Sequence, residues 1–279
     1  MKSPWKQSLT SLALAAGLAG QLWAAPATQS FKTPEDAARA LQTALSKKDQ
    51  AALLTLFGPD YKRVQVEDAA ERAATDARLV RLFKEGWSLS TTQDQHRVIR
   101  LGWEGWVFPV PLIKKGSLWS FDTPAGVEEI ANRRVGRNEL MAIDTFHAIF
   151  KAQEQYKKDT GKYAARVASS TGSRDGLFWT ATNADKSPLQ QVVGDVAGLV
   201  SSHTKGTPWY GYYYTLTTTK DGFVLAAWPA NHNQTGVQSF WMDQSGRLYE
   251  KDLGNNGGSY LRGADATTSP TDWNLVQSY

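Results

Sequence analysis

The chain contains no cysteine. That excludes disulfide staples, thiol nucleophiles and every cysteine-bearing metal site. It also excludes a lipid anchor on a cysteine behind an export signal. Histidine is scarce: His96, His147, His203 and His232 are scattered, and no two lie four residues apart as a helical zinc pair requires. The G-x-S-x-G nucleophile elbow, the P-loop, the dinucleotide-binding glycine fingerprint and the EF-hand loop are missing. No metal and no cofactor is therefore expected. Beyond the N-terminus no stretch approaches the ~18 apolar residues of a membrane-crossing helix. Net charge is also low, +4 over 279 residues. Lys2 and Lys6 supply two of those charges, so the remainder carries about +2. Nucleic-acid binding has no electrostatic footprint here.

What is present points to a folded, exported chain. An apolar content of 41% and eleven tryptophans argue against disorder, and the length allows two ordinary domains, each with its own core. MKSPWKQ is a short basic start, SLTSLALAAGLAGQL a short apolar stretch, and APA at Ala25–Ala27 a set of small residues for a signal peptidase. Residues 1–27 read as a secretory signal peptide, cut near Ala24 or Ala27. The expected location is periplasmic or secreted, with no membrane span after cleavage.

Residues 28–123 read as helices followed by strands. Thr33-Pro34-Glu35-Asp36 starts a helix whose apolar stripe is Ala37, Ala40, Leu41 and Leu45. A second helix covers Gln50 to Phe57 and stops at Gly58. A third, from about Val66 to Lys84, carries Ala69, Ala73, Ala77, Val80 and Phe83. The period then changes to two: Trp87–Thr92, Arg97–Trp103, Trp106–Ile113 and Ser117–Asp122 read as strands. Pro109 and Pro111 remove two donors from one side of WVFPVPLI, which marks it as an edge strand. The element order is similar to the cone-shaped fold of the nuclear transport factor and ketosteroid isomerase superfamily. That fold implies a pocket, which Trp87, Trp103, Trp106 and Trp119 would line and His96 or Glu104 would serve.

Residues 124–254 read as a second domain. A short helix from Thr123-Pro124 ends at Gly136, and a longer one runs from Asn138 to Thr160 with Leu140, Ile143, Phe146, Ile149, Phe150 and Tyr156 on one face. A polar stretch follows, then a short helix from Ser187-Pro188 to about Leu199. WYGYYYTLTTT, FVLAAWPA, VQSFWM and RLYEK make an antiparallel meander, with hairpin signals at Lys220-Asp221-Gly222 and Asp243–Gly246. Residues 255–279, rich in Gly, Ser, Thr and Asp, read as a flexible tail. The fold class is α+β in two domains: helices with an antiparallel sheet, then a long helix packed on an antiparallel meander.

The helix end YKKDTGKY, followed by GFVLAAWPANHNQTGVQSFWMDQSGRLYEKDLG, resembles the globular domain of type IV pilins and type II secretion pseudopilins. The chain from TPEDAARAL to YEKDLG is similar to the family of exported bacterial proteins called domain of unknown function 2950. FPVPLIKKGSLWSFDT, GVEEIANRRVGRNELMAI, SRDGLFW and YGYYY carry that resemblance, and it brings no activity with it.

Three clusters are candidate binding residues. Arg133, Arg134, Arg137, Asn138 and Glu139 would hold an anion at a helix start, or form a salt-bridge network. Arg174, Asp175 and Trp179 would form a binding loop, or a loop pinned to the helix. Tyr212 belongs to a tyrosine-rich strand with one face open to a sugar or peptide, or covered by loops. Asn231–Thr235 and Asp243–Ser245 are turn residues whose oxygens also suit calcium. No catalytic residue is nominated, because no acid, base and nucleophile are ordered together. The leading expectation is a binding or structural protein with a protein or cell-envelope partner and open oligomeric state. The alternatives are an enzyme or small-ligand carrier using the cone pocket or the domain junction, and an accessory of a secretion or pilus system.

Overall fold

The computed structural model describes residues 28–66, 68–180, 186–262 and 271–276. The signal-peptide segment lies outside them. The fold is α+β, in two compact units that divide between Thr123 and Pro124.

In the first unit, helix α1 spans Pro34–Lys47, and Thr33 caps it by accepting from Asp36 N at 3.1 Å. Helix α2 (Gln50–Phe57) is capped in the same way by Asp49. A short 3-10 turn and helix α3 (Tyr61–Val64) follow. Helix α4 covers Ala69–Glu85 with Asp68 as its cap, so it starts three residues later than Val66. Ala69, Ala73 and Ala77 are exposed, and only the end of α4, centred on Phe83, reaches the core. The small alanine stripe has little area to bury.

Strands β1 (Trp87–Thr91), β2 (Arg97–Leu101), β3 (Trp106–Val107), β4 (Leu112–Lys115) and β5 (Leu118–Phe121) form one antiparallel sheet. Its order is β1-β2-β4-β5, with β3 also on β2. The expected edge strand is only partly one: β3 pairs with β2 alone, whereas β4 lies between two strands. It is two pieces, both paired to β2, and β4 also pairs with β5. The register steps from Arg100↔Val107 to Arg97↔Leu112, which inserts two residues where Pro109 and Pro111 stand. The missing donors are accommodated by interrupting the ladder rather than by facing solvent. Phe108, Val110 and Leu112 still reach the core with Leu41, Leu56, Phe57, Ile99 and Phe121.

The four tryptophans do not converge. Trp87, Trp106 and Trp119 pack against this core, with Arg39, Arg78 and Lys114 placed over their rings at 5.7, 5.5 and 5.9 Å. Trp103 stands 87% exposed at the β2–β3 turn. His96 and Glu104 sit at opposite ends of β2.

The second unit is organised by helix α5, a single 38-residue helix over Thr123–Thr160. Gly136 does not break it. A glycine inside a helix costs only about 1 kcal/mol, far less than a proline. Ala142, Phe146, Ile149, Ala152 and Tyr156 are its buried face, while Leu140 is 55% exposed. Gln153 is fully buried, and its amide both donates to Ala164 O (2.9 Å) and accepts from Ala164 N (2.8 Å). That reciprocal pair pins the chain as it leaves the helix.

After a 3-10 turn at Pro188–Gln191, helix α6 covers Val196–Lys205, beyond the span expected from Ser187. Strands β6 (Tyr212–Thr218), β7 (Phe223–Pro229), β8 (Gln238–Asp243) and β9 (Leu248–Asp252) make the meander. Every residue of β7 is buried. Phe223, Leu225 and Ala227 face the α5 side, and Val224, Ala226 and Trp228 the other.

The tail covers that other face. Helix α7 (Gly257–Leu261) and strand β10 (Asn274–Leu275, paired to β9) bring Leu261 and Trp273 onto Val224, Ala226, Trp228 and Trp241. Where it is described, the tail is therefore not loose. Its glycines serve close approach: a Cβ on Gly257 would meet Trp228 Cβ at 2.9 Å, and one on Gly258 would meet Trp228 Nε1 at 2.9 Å.

Two outcomes test this architecture. Ending the chain at Gly254 removes two large buried side chains at about 1.5–3 kcal/mol each. The urea midpoint of the second unit should drop accordingly, and an unchanged midpoint would make the tail a passenger. A Cβ on Gly136 would meet nothing within 4 Å. Gly136→Ala should therefore stabilise the second unit by about 0.5–1 kcal/mol, and a loss of stability would contradict an unbroken α5.

Candidate functional site

The first expected cluster lies in the middle of α5, not at a helix start. Its backbone N–H groups are consumed inside the helix, so the basis for anion binding there is gone. Three of its members instead fasten the β7–β8 loop. Arg134 donates to Gln234 O at 3.0 Å and Asn138 to Thr235 O at 2.9 Å. Glu139 accepts from Val237 N and Gln238 N at 2.8 and 3.0 Å. Arg133 pairs with Glu129 at 2.7 Å, and Arg137 is exposed.

The second cluster is likewise largely committed to folding. Asp175 accepts from Ser170 N (2.7 Å), Ser170 Oγ (3.0 Å) and Ser173 Oγ (2.6 Å). The Ser173 hydroxyl, then the Ser170 amide, hold its carboxyl well below the usual range. Gly176 follows because a Cβ there would strike the Ala168 and Ser169 backbone at 2.7 Å. Tyr156 donates to Arg174 O at 2.9 Å, and the Arg174 guanidinium lies 5.5 Å over the Trp179 ring. Trp179 packs against the α5 core. Tyr212 is fully buried and donates to Gln238 O at 2.9 Å; burial pushes its hydroxyl pKa strongly upward. The tyrosine-rich strand therefore presents no open face at Tyr212. Asn231 and Asp243 use their oxygens on Thr235 and Ser245, as turns do. Among the described residues, no group of three His, Cys, Asp or Glu side chains is placed to hold a metal.

Two concavities among the described residues bear on a site. The larger, a cleft of ≈ 480 Å³, lies at the C-terminal end of α5. Its walls come from the helix end and the chain leaving it (Tyr156, Lys157, Lys162, Tyr163, Arg166) and from the β6–β7 hairpin (Thr218 to Gly222), with Asp175 between. Gly161 ends the helix with φ +80°, the left-handed conformation that turns the chain back along the cleft. Lys157 donates to Tyr163 Oη at 3.1 Å and lies 4.4 Å from the centre of its ring. Tyr163 in turn donates to Glu154 at 3.0 Å. Lys162, Lys220 and Asp221 line the cleft; the sequence marked them only as parts of a helix end and a hairpin turn, not as site residues. Nothing local marks them as a site, because the cleft forms only when the hairpin reaches the helix end.

The smaller cavity, ≈ 270 Å³, is lined by Gly136, Glu139, Leu140, Ile143, Phe240, Glu250 and Val276. Gly136 leaves open space there, and Leu140 lies on its wall rather than in the core. Burial, and then the nearby Glu139 carboxylate, raise the Glu250 pKa.

A family model described as "Protein of unknown function (DUF2950)" matches residues 28–276. The chain belongs to the DUF2950 family. No curated protein and no solved structure matches it. Membership covers both units and the tail, consistent with a tail that completes the second core. No helix among the described residues is long and apolar enough to cross a membrane.

The Glu250 shift has a sign that can be checked. A carboxyl whose pKa is raised on folding costs stability when ionised, and the cost is relieved as pH falls through the folded value. Glu250→Gln should therefore raise the melting temperature at pH 7 and lose that advantage toward pH 4. A lower melting temperature at pH 7 would contradict it.

Proposed function

We propose that this DUF2950 protein is an exported binding protein of the periplasm or the extracellular medium, and that it takes a small polar ligand in the cleft at the end of α5. The cleft itself carries the reading. It has the volume of a small-molecule site, and charged and hydroxyl side chains from separate segments converge on it. The N-terminal signal pattern supports export. A secretion or pilus role is less favoured. Helix α5 begins at Thr123, after a complete unit, so it does not continue an N-terminal apolar segment as a pilin stalk would.

Ala165 is exposed and lines the cleft, so Ala165→Trp fills it without disturbing the core. Thermal melts would be run against separate panels of sugars, amino acids, carboxylic acids and phosphate esters. At 100-fold excess over Kd a ligand adds about 2.7 kcal/mol. In a unit of this size that is a rise of about 5–10 °C. At least one panel should raise the second unit's melting temperature, and Ala165→Trp should abolish the rise. No response from any panel, or an equal response in the filled variant, overturns the proposal.

A further inference from the structure

Resting on the cleft reading above, we infer that the ligand is a small molecule carrying two or more oxyanionic groups, carboxylate or phosphate, held between Lys162 and Arg166 on one wall and Lys220 on the other.

The cations come from two segments distant in sequence. Four basic side chains line the cleft against two carboxylates, in a chain whose overall charge is close to neutral. The lining therefore carries a local excess of positive charge. Neither the Lys162 nor the Lys220 side chain has a hydrogen-bond or ion-pair partner among the described residues. Like charges on facing walls repel, and that repulsion is relieved when an anion lies between them.

Arg166 is only loosely held. Its 3.5 Å contact is the longest of those made to Asp175, and the two serines already satisfy that carboxylate. One Arg166 nitrogen donates to Ser170 Oγ at 2.7 Å, which orients the guanidinium and leaves the rest of its fork for a planar oxyanion. The hydroxyls of Thr218 and Thr219 also lack partners among the described residues and can donate from the hairpin wall.

The aromatic residues argue against a neutral sugar. Sugar recognition needs an open ring face. Lys157 covers Tyr163 at 4.4 Å, Phe223 meets the same ring at 5.0 Å, and Tyr156 is buried. Cations and hydroxyl donors are what the cleft has left to offer. A ligand with two anionic groups can engage both walls at once, whereas one with a single group leaves a wall unanswered.

Calorimetry on the mature protein with citrate, fructose 1,6-bisphosphate and glucose tests this, with phosphatidylglycerol vesicles as a sedimentation arm. Citrate or fructose 1,6-bisphosphate should bind saturably and glucose should not. Raising the ionic strength from ~20 to ~200 mM should weaken binding, because these groups are solvent-accessible. The double variant Lys162→Glu/Lys220→Glu should lose about tenfold or more in affinity. Lys158→Glu, on the same helix end but outside the lining, should change affinity less than about threefold. Equal binding by the double variant, equal binding of glucose, or binding confined to the vesicles overturns the inference. A neutral ligand that binds wild type and is lost in Ala165→Trp would overturn the oxyanion assignment and leave the cleft standing. Failure of every probe to respond to Ala165→Trp would bring down both.

Discussion

Strand β7 is apolar on both faces, and the second unit is arranged around covering them. Phe223, Leu225 and Ala227 demand one cover, Val224, Ala226 and Trp228 another. Helix α5 supplies the first through Phe146, Ile149 and Tyr156. The tail supplies the second through Leu261 and Trp273. Burying that apolar surface is the dominant favourable term available to such a unit. It places β7 inside the sheet, flanked by β6 and β8, and it draws a glycine-rich tail back over the molecule.

The polar residues around this core divide by what they hold. Gln153 pins the helix exit, Glu139 and Asn138 pin the β7–β8 loop, and Asp175 pins the polar loop. Each meets backbone groups, and those at Ala164, which burial would otherwise leave unpaired, are the clearest case. Asn138, Glu139 and Asp175 belong to the clusters that looked most like binding sites in the sequence. Dense polar side chains near an apolar core are needed as fasteners just as they are needed for ligands. The cations with no such task, Lys162 and Lys220, are unremarkable in sequence and become conspicuous only by position.

Much of the fold was legible because it is local. Thr33 caps the helix its side chain suggests, and the Lys220–Gly222 and Asp243–Gly246 hairpins turn where their residues require. Misreadings arose where a local signal had a non-local answer. Gly136 suggested a break, but one glycine is a small penalty against a long packed helix. Pro109 and Pro111 suggested an edge, but a two-residue step in register removes the demand for their donors. The glycines after Gly254 suggested looseness, whereas Trp228 leaves room for nothing larger at Gly257 and Gly258.

The sequence by itself determined the element types, the absence of thiol chemistry, the near-neutral charge and the resemblance to the DUF2950 family. These depend on residues a few positions apart or on simple counts. Only the tertiary structure decided that the tail closes the second core, that Tyr212 is inside, and that Lys162, Arg166 and Lys220 share one cleft. The last of these depends on the hairpin and the helix end meeting across more than fifty residues of chain. No periodicity or motif encodes such a meeting, because it is set by which apolar faces find one another.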